Sequence, residues 1–498
     1  MKNIKINIII PSIIIHNNDP HTGIPFMPHM AAYLAGSLKK HYHVNVIDCL
    51  GINSNNFRKY KNFTIIGIDE DEVVKRIDKN SKYSFIYCRT IEDLYSVERI
   101  IKKIKTSLKS KIILFENIQT TNSFSLKKIN KYLFDMGADA LIFGEPEHTS
   151  LDAIDFFENK TQKKIFDFAY IDSHNNIIIN DQKNFYKELD KLNFPDWESF
   201  DLNGYWELGF AHPPIKKNIK FLPILTSRGC PYRCYFCVSP TLNPTWRGRS
   251  AKNVVDEMQY FKEKLNVTDF HVSDLDPTVN DKRTKEISKE IIKRKLNIEW
   301  KFAQGTKIET IKSDETLDLL KKSGLSFFSF SPESGSKQLM KKLNKPFDYE
   351  KALHVVKYLN KINIRTQACF LIGTPDEKFT DIIKSILYII KLTFHGVDEI
   401  AVFIYSPIPG SALASRIKGF KHYSELTRTP NWRKDFLYLS FFRYFMYSIF
   451  IFIKLIFKPY KLLGNIIRIF NKNYETKMEM SFGKLIKIIK TPVKILND

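Results

Sequence analysis

Residues 229–237 read Gly-Cys-Pro-Tyr-Arg-Cys-Tyr-Phe-Cys and place three thiols at the spacing C-x3-C-x2-C. The other three cysteines of the 498-residue chain stand singly in apolar runs, so the six do not form a disulfide framework and a reducing compartment is expected.

Three soft ligands in one loop indicate a metal. A structural zinc normally takes four protein ligands and would have to borrow His212 or His271. A cubane iron–sulfur cluster held by only three cysteines leaves one iron open to a ligand. Three incidental thiols are the third alternative.

The chain after this loop alternates β-rich runs with helical patterns. Including the run before the loop, six strands are predicted at residues 221–226, 268–273, 299–304, 326–330, 366–372 and 399–405. Six βα units fit a partial (β/α)6 barrel, whose chemistry belongs at the carboxyl ends of the strands. The cysteine loop follows the first strand and is therefore predicted at the mouth of the barrel.

The first 150 residues show the same alternation. Strands are predicted at residues 4–10, 44–48, 84–88, 112–116 and 140–143. This pattern is typical of a doubly wound parallel sheet, in which a ligand crevice forms at the strand ends. The last strand ends in a turn at residues 144–147, Gly-Glu-Pro-Glu. The expected α/β protein thus has a Rossmann-like unit at 1–150, a connector at 151–215, the barrel at 216–420, and a helical, basic, apolar tail at 421–498.

The cysteine motif and the barrel resemble the radical S-adenosylmethionine (SAM) superfamily over residues 221 to about 410. The resemblance implies that Cys230, Cys234 and Cys237 hold a 4Fe-4S cluster whose open iron chelates SAM. It further implies that the protein cleaves SAM reductively to a 5'-deoxyadenosyl radical. The electron would come from an external donor of the flavodoxin or ferredoxin type.

The same resemblance assigns cofactor contacts outside the three cysteines. Phe236 is expected against the adenine of SAM, and Gly373 in the loop after the fifth strand is expected near it. Glu333 is expected at the ribose, where a carboxylate suits two vicinal hydroxyl donors. Asp274, with Asp276 as a second candidate, is expected to face the SAM amino group. The alternatives are a helix N-cap neighbourhood for Glu333, an ordinary turn for Gly373, and solvated loop acids for the aspartates.

The sheet unit, the Asp196-Trp197 pair and the stretch 246–250, Trp-Arg-Gly-Arg-Ser, together resemble the cobalamin-binding branch of the superfamily. This resemblance implies a corrinoid between the sheet and the barrel. Residues 19–23, Asp-Pro-His-Thr-Gly, are one residue short of the D-x-H-x-x-G motif of histidine-ligated corrinoid proteins. His21 is therefore not expected to bind cobalt. A sheet that serves only as a substrate or partner platform is the alternative.

The resemblance favours a cobalamin-dependent methyltransferase that acts at an unactivated carbon of a small-molecule or lipid-like substrate. A radical SAM oxidoreductase or cyclase that does not methylate its substrate is the alternative within enzymes. A non-catalytic, metal-binding, membrane-attached protein is the alternative from another class. Methylthiotransferases are disfavoured because their extra cluster needs three cysteines in the first domain, and here only Cys49 and Cys88 lie there.

Over half of the net charge of +23 lies in residues 411–498, where 17 Lys and Arg stand against 5 Asp and Glu. These charges flank residues 436–457, an apolar run of 22 residues, and a bilayer crossing needs about 20. Basic and aromatic flanks favour an interfacial anchor on anionic lipid over a span. A helix buried against the barrel is the alternative. Lipid is a better expected partner than nucleic acid, because the charges border an apolar run.

The first residues lack a signal-peptide pattern, so we expect the protein in the cytoplasm, at the inner face of the cytoplasmic membrane.

Overall fold

The computed structural model describes residues 4–495 apart from 17–18, 20, 61–62, 120–122, 161–162 and 184. The described part of the first unit contains the strands β1 (Lys5–Ile10), β2 (Ile13–His16), β3 (His43–Asp48), β4 (Phe57–Tyr60), β5 (Phe63–Ile66), β6 (Tyr83–Cys88), β7 (Lys111–Glu116), β8 (Ala140–Ile142), β9 (Phe168–Ile171) and β10 (Ile177–Asn180). Its helices are α1 (His29–Leu38), α2 (Cys49–Ile52), α3 (Glu70–Arg76), α4 (Leu94–Ser107), α5 (Asn130–Asp135) and α6 (Pro146–Phe157).

Seven of these strands form one sheet in the order β10-β9-β8-β7-β6-β1-β3. In this order, the strands from β3 to β8 run parallel to one another. At the other edge, β9 pairs antiparallel with β8, and β10 pairs antiparallel with β9. The five predicted parallel strands are confirmed. The predicted boundary at residue 150 is wrong, because β9 and β10 extend the same sheet to Asn180. Each of these strands is only four residues long, so the alternation of apolar and polar residues within the predicted connector is too short to indicate a strand.

The remaining connector holds α7 (Leu202–Leu208) and leads into the second unit. The strands there are β11 (Phe221–Ile224), β12 (Ser227–Arg228), β13 (Arg247–Gly248), β14 (Asp269–Val272), β15 (Glu299–Thr306), β16 (Leu325–Glu333), β17 (Arg365–Ile372) and β18 (Glu399–Ile404). The helices are α8 (Ser239–Leu242), α9 (Ala251–Leu265), α10 (Asp281–Lys293), α11 (Asp314–Lys322), α12 (Lys337–Lys342), α13 (Tyr349–Lys361) and α14 (Phe379–His395).

Six of these strands form a parallel sheet in the order β11-β14-β15-β16-β17-β18, which confirms the predicted partial barrel. The strand cores are apolar and buried, for example the successive residues Ile400, Ala401 and Val402 of β18. Continuous apolar runs of this kind are typical of parallel strands covered on both faces. The two short strands β12 and β13 form an antiparallel hairpin outside the barrel, at the ends of the cysteine loop.

The tail forms α15 (Phe436–Phe457), α16 (Pro459–Asn471), α17 (Lys477–Lys490) and the short strand β19 (Val493–Ile495). Strand β19 pairs in parallel with β4 of the first unit, in a small sheet of order β19-β4-β5-β2. Sequence reasoning missed this sheet. The tail therefore packs on the barrel through α15 and returns to the first unit through β19, so that it contacts both units.

Candidate functional site

The cysteine loop is held at both ends by the hairpin of β12 and β13, which pairs Ser227 with Gly248 and Arg228 with Arg247. Within the loop, the backbone N–H of Cys230 donates to the carbonyl of Asn243 at 3.1 Å, and the N–H of Tyr235 donates to that of Leu343 at 3.0 Å. Gly229 adopts a φ of +80°, and a Cβ there would lie 2.1 Å from the carbonyl oxygen of Thr245. Only glycine fits this turn into the loop.

The three thiols of the loop are half-buried and influence one another electrostatically. Burial, followed by the charges of Cys237, Asp276 and Cys234, raises the pKa of Cys230 well above that of a free thiol. Burial likewise raises the pKa of Cys234 to about 11. A bound metal cation reverses this effect, because it stabilises the thiolates. Cys237 Sγ also accepts the backbone N–H of Ser239 at 3.4 Å, a contact of the kind that tunes iron–sulfur clusters.

The two histidines of the zinc alternative have other contacts. The ring of His271 stacks on Phe221 within the barrel strands, with ring centroids 4.7 Å apart. The ring of His212 packs on Phe26 at 4.5 Å, and its Nε2 lies 3.4 Å from Lys477 Nζ. No group of three or more His, Cys, Asp or Glu side chains in the described ranges has the geometry of a preformed metal site.

Glu333, at the end of β16, lies beside the cysteine loop. Its carboxylate accepts a hydrogen bond from Lys345 Nζ at 2.7 Å, and Lys345 Nζ lies 5.8 Å from the ring centroid of Phe236. The charges of Lys345 and Glu333 both act on the pKa of Cys234. Glu333 has a φ of +58°, a left-handed conformation that costs free energy in a non-glycine residue and is found at functional sites. The structure thus brings together three predicted site residues and Lys345, which the sequence did not single out.

The two aspartates after β14 differ in their hydrogen bonding. Asp274 is fully buried, and its oxygens accept from the N–H and the hydroxyl of Thr226 at 2.7 and 2.6 Å and from the hydroxyl of Ser227 at 2.5 Å. Asp276 Oδ1 accepts from Thr278, whereas its buried Oδ2 has no partner among the described residues. Burial raises the pKa of Asp276 to about 6. The contact with SAM predicted for Asp274 stays a prediction, as does that of the second candidate, Asp276.

Residues 224–387 match the family model of the radical SAM superfamily. The chain carries a radical SAM domain. Cytidylyl-2-hydroxyethylphosphonate methyltransferase of Streptomyces wedmorensis is 29% identical over 45% of this chain and 43% of its own length. Anaerobic magnesium-protoporphyrin IX monomethyl ester cyclase of Rubrivivax gelatinosus is 26% identical over 70% of this chain and 59% of its own length. Thus the chain covers less than two thirds of either relative.

One solved structure extends the likeness beyond the radical SAM domain. The methyltransferase TsrM from Kitasatospora setae, with cobalamin and a 4Fe-4S cluster bound, superposes with a TM-score of 0.61. The superposition covers 83% of this chain and 74% of that one at 14% identity. At this identity the likeness shows the fold alone. The fold predicted from the sequence, a parallel sheet unit followed by a radical SAM barrel, is confirmed.

Gly373 of the radical SAM domain lies where the tail packs on the barrel. It has a φ of +77°, and a Cβ would lie 2.5 Å from Leu439 Cδ1 of α15. Its carbonyl accepts a hydrogen bond from Arg433 at 2.9 Å. These contacts explain why glycine is required at this turn, and the predicted contact with adenine stays a prediction.

Two arginines at the ends of the cysteine loop bind the turn at residues 144–147 of the sheet unit. Arg247 donates to both oxygens of Glu145, at 2.9 and 3.1 Å, and Arg228 donates to Glu147 at 2.6 Å. Burial opposes ionisation of Glu145, but the guanidinium groups of Arg228 and Arg247 outweigh it and lower the pKa. The sequence showed both stretches but did not show that they pair, because nearly one hundred residues separate them.

The carboxyl edge of the sheet carries buried polar atoms without partners among the described residues. They include both amide atoms of Gln119, Nη1 of Arg89 and the hydroxyl of Tyr87. Buried polar groups are normally hydrogen-bonded, so this edge suits a polar ligand. His21, in the loop after β2, lies edge-on to Phe403 of β18, with ring centroids 5.1 Å apart. Burial lowers the pKa of His21 to about 4. Pro20 of the same stretch lies outside the described residues.

Proposed function

We propose that this protein is a cobalamin-dependent radical SAM methyltransferase that acts at an unactivated carbon of a small-molecule substrate. One observation carries the proposal: the hairpin that bears the cysteine loop is joined by buried ion pairs to the turn at the carboxyl edge of the sheet. These pairs join the cysteine loop directly to the edge of the sheet at which the ligand crevice is predicted. The names of the Streptomyces relative and of the Kitasatospora structure support methyl transfer.

Each residue of the site has a defined role in this proposal. Cys230, Cys234 and Cys237 would supply the three thiolates of the cluster. Glu333 would accept the ribose hydroxyls of SAM, and the unpartnered oxygen of Asp276 would accept from its amino group. When bound, the cluster supplies the electron that cleaves SAM, and the corrinoid carries the methyl group.

The sheet crevice would hold the corrinoid through its polar edge. The unpartnered amide of Gln119 and the guanidinium of Arg89 can donate to the carbonyl groups of an amide-rich ligand. His21 stays neutral near pH 7 because burial lowers its pKa to about 4. The proposal gives it no bond to cobalt.

The experiment is an anaerobic assay of reconstituted protein with dithionite, SAM and hydroxocobalamin. It quantifies 5'-deoxyadenosine and S-adenosylhomocysteine, with Cys234→Ala as the control. Cysteine-dependent formation of 5'-deoxyadenosine is expected, together with S-adenosylhomocysteine only when cobalamin is present. Zinc in place of an iron–sulfur chromophore would overturn the proposal.

The Rubrivivax relative is named a cyclase, which supports a radical SAM oxidoreductase or cyclase as the second candidate. In the same assay, this candidate predicts 5'-deoxyadenosine without cobalamin-dependent S-adenosylhomocysteine. The two products therefore separate the candidates within one experiment.

We further propose an external electron donor of the flavodoxin or ferredoxin type, and a cytoplasmic protein attached peripherally to the inner face of the membrane through residues 421–498. Arg233 in the cysteine loop and Lys341 and Lys342 in α12 are exposed. Helix α12 adjoins the loop through the bond from Tyr235 to Leu343. These cations would attract an acidic donor protein. Replacing all three by Gln should slow reduction of the cluster by flavodoxin and leave reduction by dithionite unchanged.

A further inference from the structure

Helix α16 has its polar face towards the protein and its apolar face towards solvent. On the inner side, Lys461 donates to Asn360 at 2.7 Å and Arg468 donates to Glu479 at 2.9 Å. On the outer side, Leu463 is 63% exposed and Phe470 is 79% exposed. An amphipathic helix on the surface of a soluble domain has the opposite orientation.

Helix α15 is apolar on its exposed side as well, and its two charged residues lie on the buried side among apolar ones. Its charged residues are Arg443 and Lys454, and both are buried against the barrel. Arg443 donates to Thr429 at 3.0 Å, Lys454 donates to the carbonyl of Asp398, and the hydroxyl of Tyr447 accepts the N–H of Val402 at 3.0 Å. Its outward residues are large and apolar, and Leu437 is 82% exposed.

These contacts determine how α15 can meet a membrane. It is the one helix in the described residues that is long and apolar enough to cross a bilayer. A crossing would separate Arg443 and Lys454 from their partners and place both charges in hydrocarbon, which is costly. Because α15 lies along β18 while its outer side stays exposed, it can instead lie parallel to a membrane surface.

Two neighbouring helices continue the exposed apolar surface. Helix α14 joins α15 through Phe379 on Phe442 and Phe394 on Phe457, with ring centroids 5.7 and 5.0 Å apart. Helix α17 exposes residues such as Ile489 on its outer side. Its Lys484 points inward and donates to the carbonyl of Thr22. We call the outward side of α14, α15, α16 and α17 the apolar face.

The charges around the apolar face indicate the kind of partner that it binds. Although several cations of the tail face the protein, Lys434, Lys472 and Lys490 are exposed at or beside the ends of these helices. Large exposed apolar patches are uncommon on soluble monomers, and here each of four helices packed one against the next exposes large apolar side chains. Cations bordering a broad apolar surface match the headgroups and acyl chains of an anionic bilayer.

We propose that the apolar face lies in the interfacial layer of an anionic phospholipid bilayer, with α15 and α16 parallel to the membrane plane. The proposal specifies the surface and the lipid class of the peripheral attachment proposed for the tail, and it rests on that attachment. It does not depend on the catalytic chemistry. In this arrangement α15 does not span the membrane.

The test is flotation of the full-length, cluster-loaded protein with vesicles of phosphatidylcholine alone and of phosphatidylcholine with phosphatidylglycerol in equal parts. We expect flotation with the anionic vesicles and weaker flotation with the neutral ones. The double variant Leu463→Glu/Phe470→Glu should lower the bound fraction at least tenfold, because it replaces two apolar anchors. The control, Ile171→Glu/Ile292→Glu, adds the same charge at exposed sites outside the apolar face and should float like the parent. Circular dichroism and iron content check that both variants fold.

Each outcome has a separate meaning. If the parent protein does not float, the peripheral attachment itself is wrong. If the parent and the Leu463/Phe470 variant float equally, attachment is real but this surface is not responsible. If the parent does not float but forms a dimer that the variant abolishes, the apolar face covers a second copy of the chain and the proposal is overturned.

Discussion

Glu145 and Arg247 form a bidentate ion pair with distances of 2.9 and 3.1 Å, although 101 residues separate them in the chain. Glu145 lies in the turn between β8, the last parallel strand of the sheet unit, and α6, and Arg247 lies in the strand that leaves the cysteine loop. Arg228, which enters that loop, lies 3.3 Å from the same carboxylate. One buried side chain of the first unit therefore fixes both ends of the proposed cluster loop.

Glu145→Gln should destabilise this junction and reduce cluster retention. The substitution leaves two buried guanidinium groups short of one negative charge, and breaking a buried pair costs about 3–5 kcal/mol. We expect a lower urea midpoint and fewer iron atoms per chain after anaerobic reconstitution. Glu188→Gln removes an exposed pair with Lys191 and should change neither. A Glu145→Gln protein with the parent's midpoint and iron content would show that the ion pair does not position the loop.

Glu333→Gln should weaken SAM binding and leave the cluster intact. Hydrogen bonds to a charged group contribute about 1.5–3 kcal/mol, so the dissociation constant for SAM should rise at least tenfold. Anaerobic calorimetry on the reconstituted protein measures this constant, and iron content monitors the cluster. Glu350→Gln, at an exposed position in α13, is the matched control. If Glu333→Gln loses stability but binds SAM normally, Glu333 serves only as the partner of Lys345.

The sequence alone predicted the elements whose signal is local. Every predicted barrel strand is present within a few residues, because an apolar run between helical patterns fixes a parallel strand. The cysteine spacing likewise located the loop. Trp197, one of the residues behind the corrinoid resemblance, is fully buried, and its burial follows from packing that a dipeptide cannot reveal.

Features that depend on distant pairing could not be predicted. The small sheet joins β2, β4 and β5 to β19, which lies more than 400 residues further along the chain. Lys345 reaches Glu333 only because the chain turns back after α12. Which of Asp274 and Asp276 keeps an oxygen without a partner depends on which carboxylate accepts the hydrogen bonds of Thr226 and Ser227. In each case the partner is set by the tertiary fold, for which the sequence carries no local pattern.

The two aspartates after β14 should give different defects. Asp276→Asn should weaken SAM binding with normal iron content, because its unpartnered oxygen is free to accept from a ligand. Asp274→Asn should instead lower iron content and stability. The substitution weakens the acceptor for the hydrogen bonds of Thr226 and Ser227, which lead into the cysteine loop. SAM titration and iron analysis on both variants measure the two effects. If Asp274→Asn weakened SAM binding with normal iron content and Asp276→Asn lowered iron content, Asp274 would be the SAM contact.

Glu116 should make the protein less stable as the pH rises towards neutrality. Its oxygens accept the N–H groups of Gly144 and Leu126 at 2.8 and 3.1 Å, yet burial raises its pKa from 4.5 to about 7. The folded state therefore binds a proton more tightly than the unfolded state. This contribution is fully present below about pH 4.5 and is lost as the pH rises through about 7. Its size is at most about 3 kcal/mol.

Urea unfolding of the parent and of Glu116→Gln at pH 5 and pH 8 isolates this contribution. Other buried carboxylates also titrate in this range, so the quantity to compare is the loss of unfolding free energy between the two pH values in each protein. The Gln variant should lose less than the parent, by up to about 3 kcal/mol, because its amide does not ionise. Glu188→Gln should lose as much as the parent. Equal losses in the parent and Glu116→Gln would show that the Glu116 carboxylate ionises without cost at the edge of the sheet.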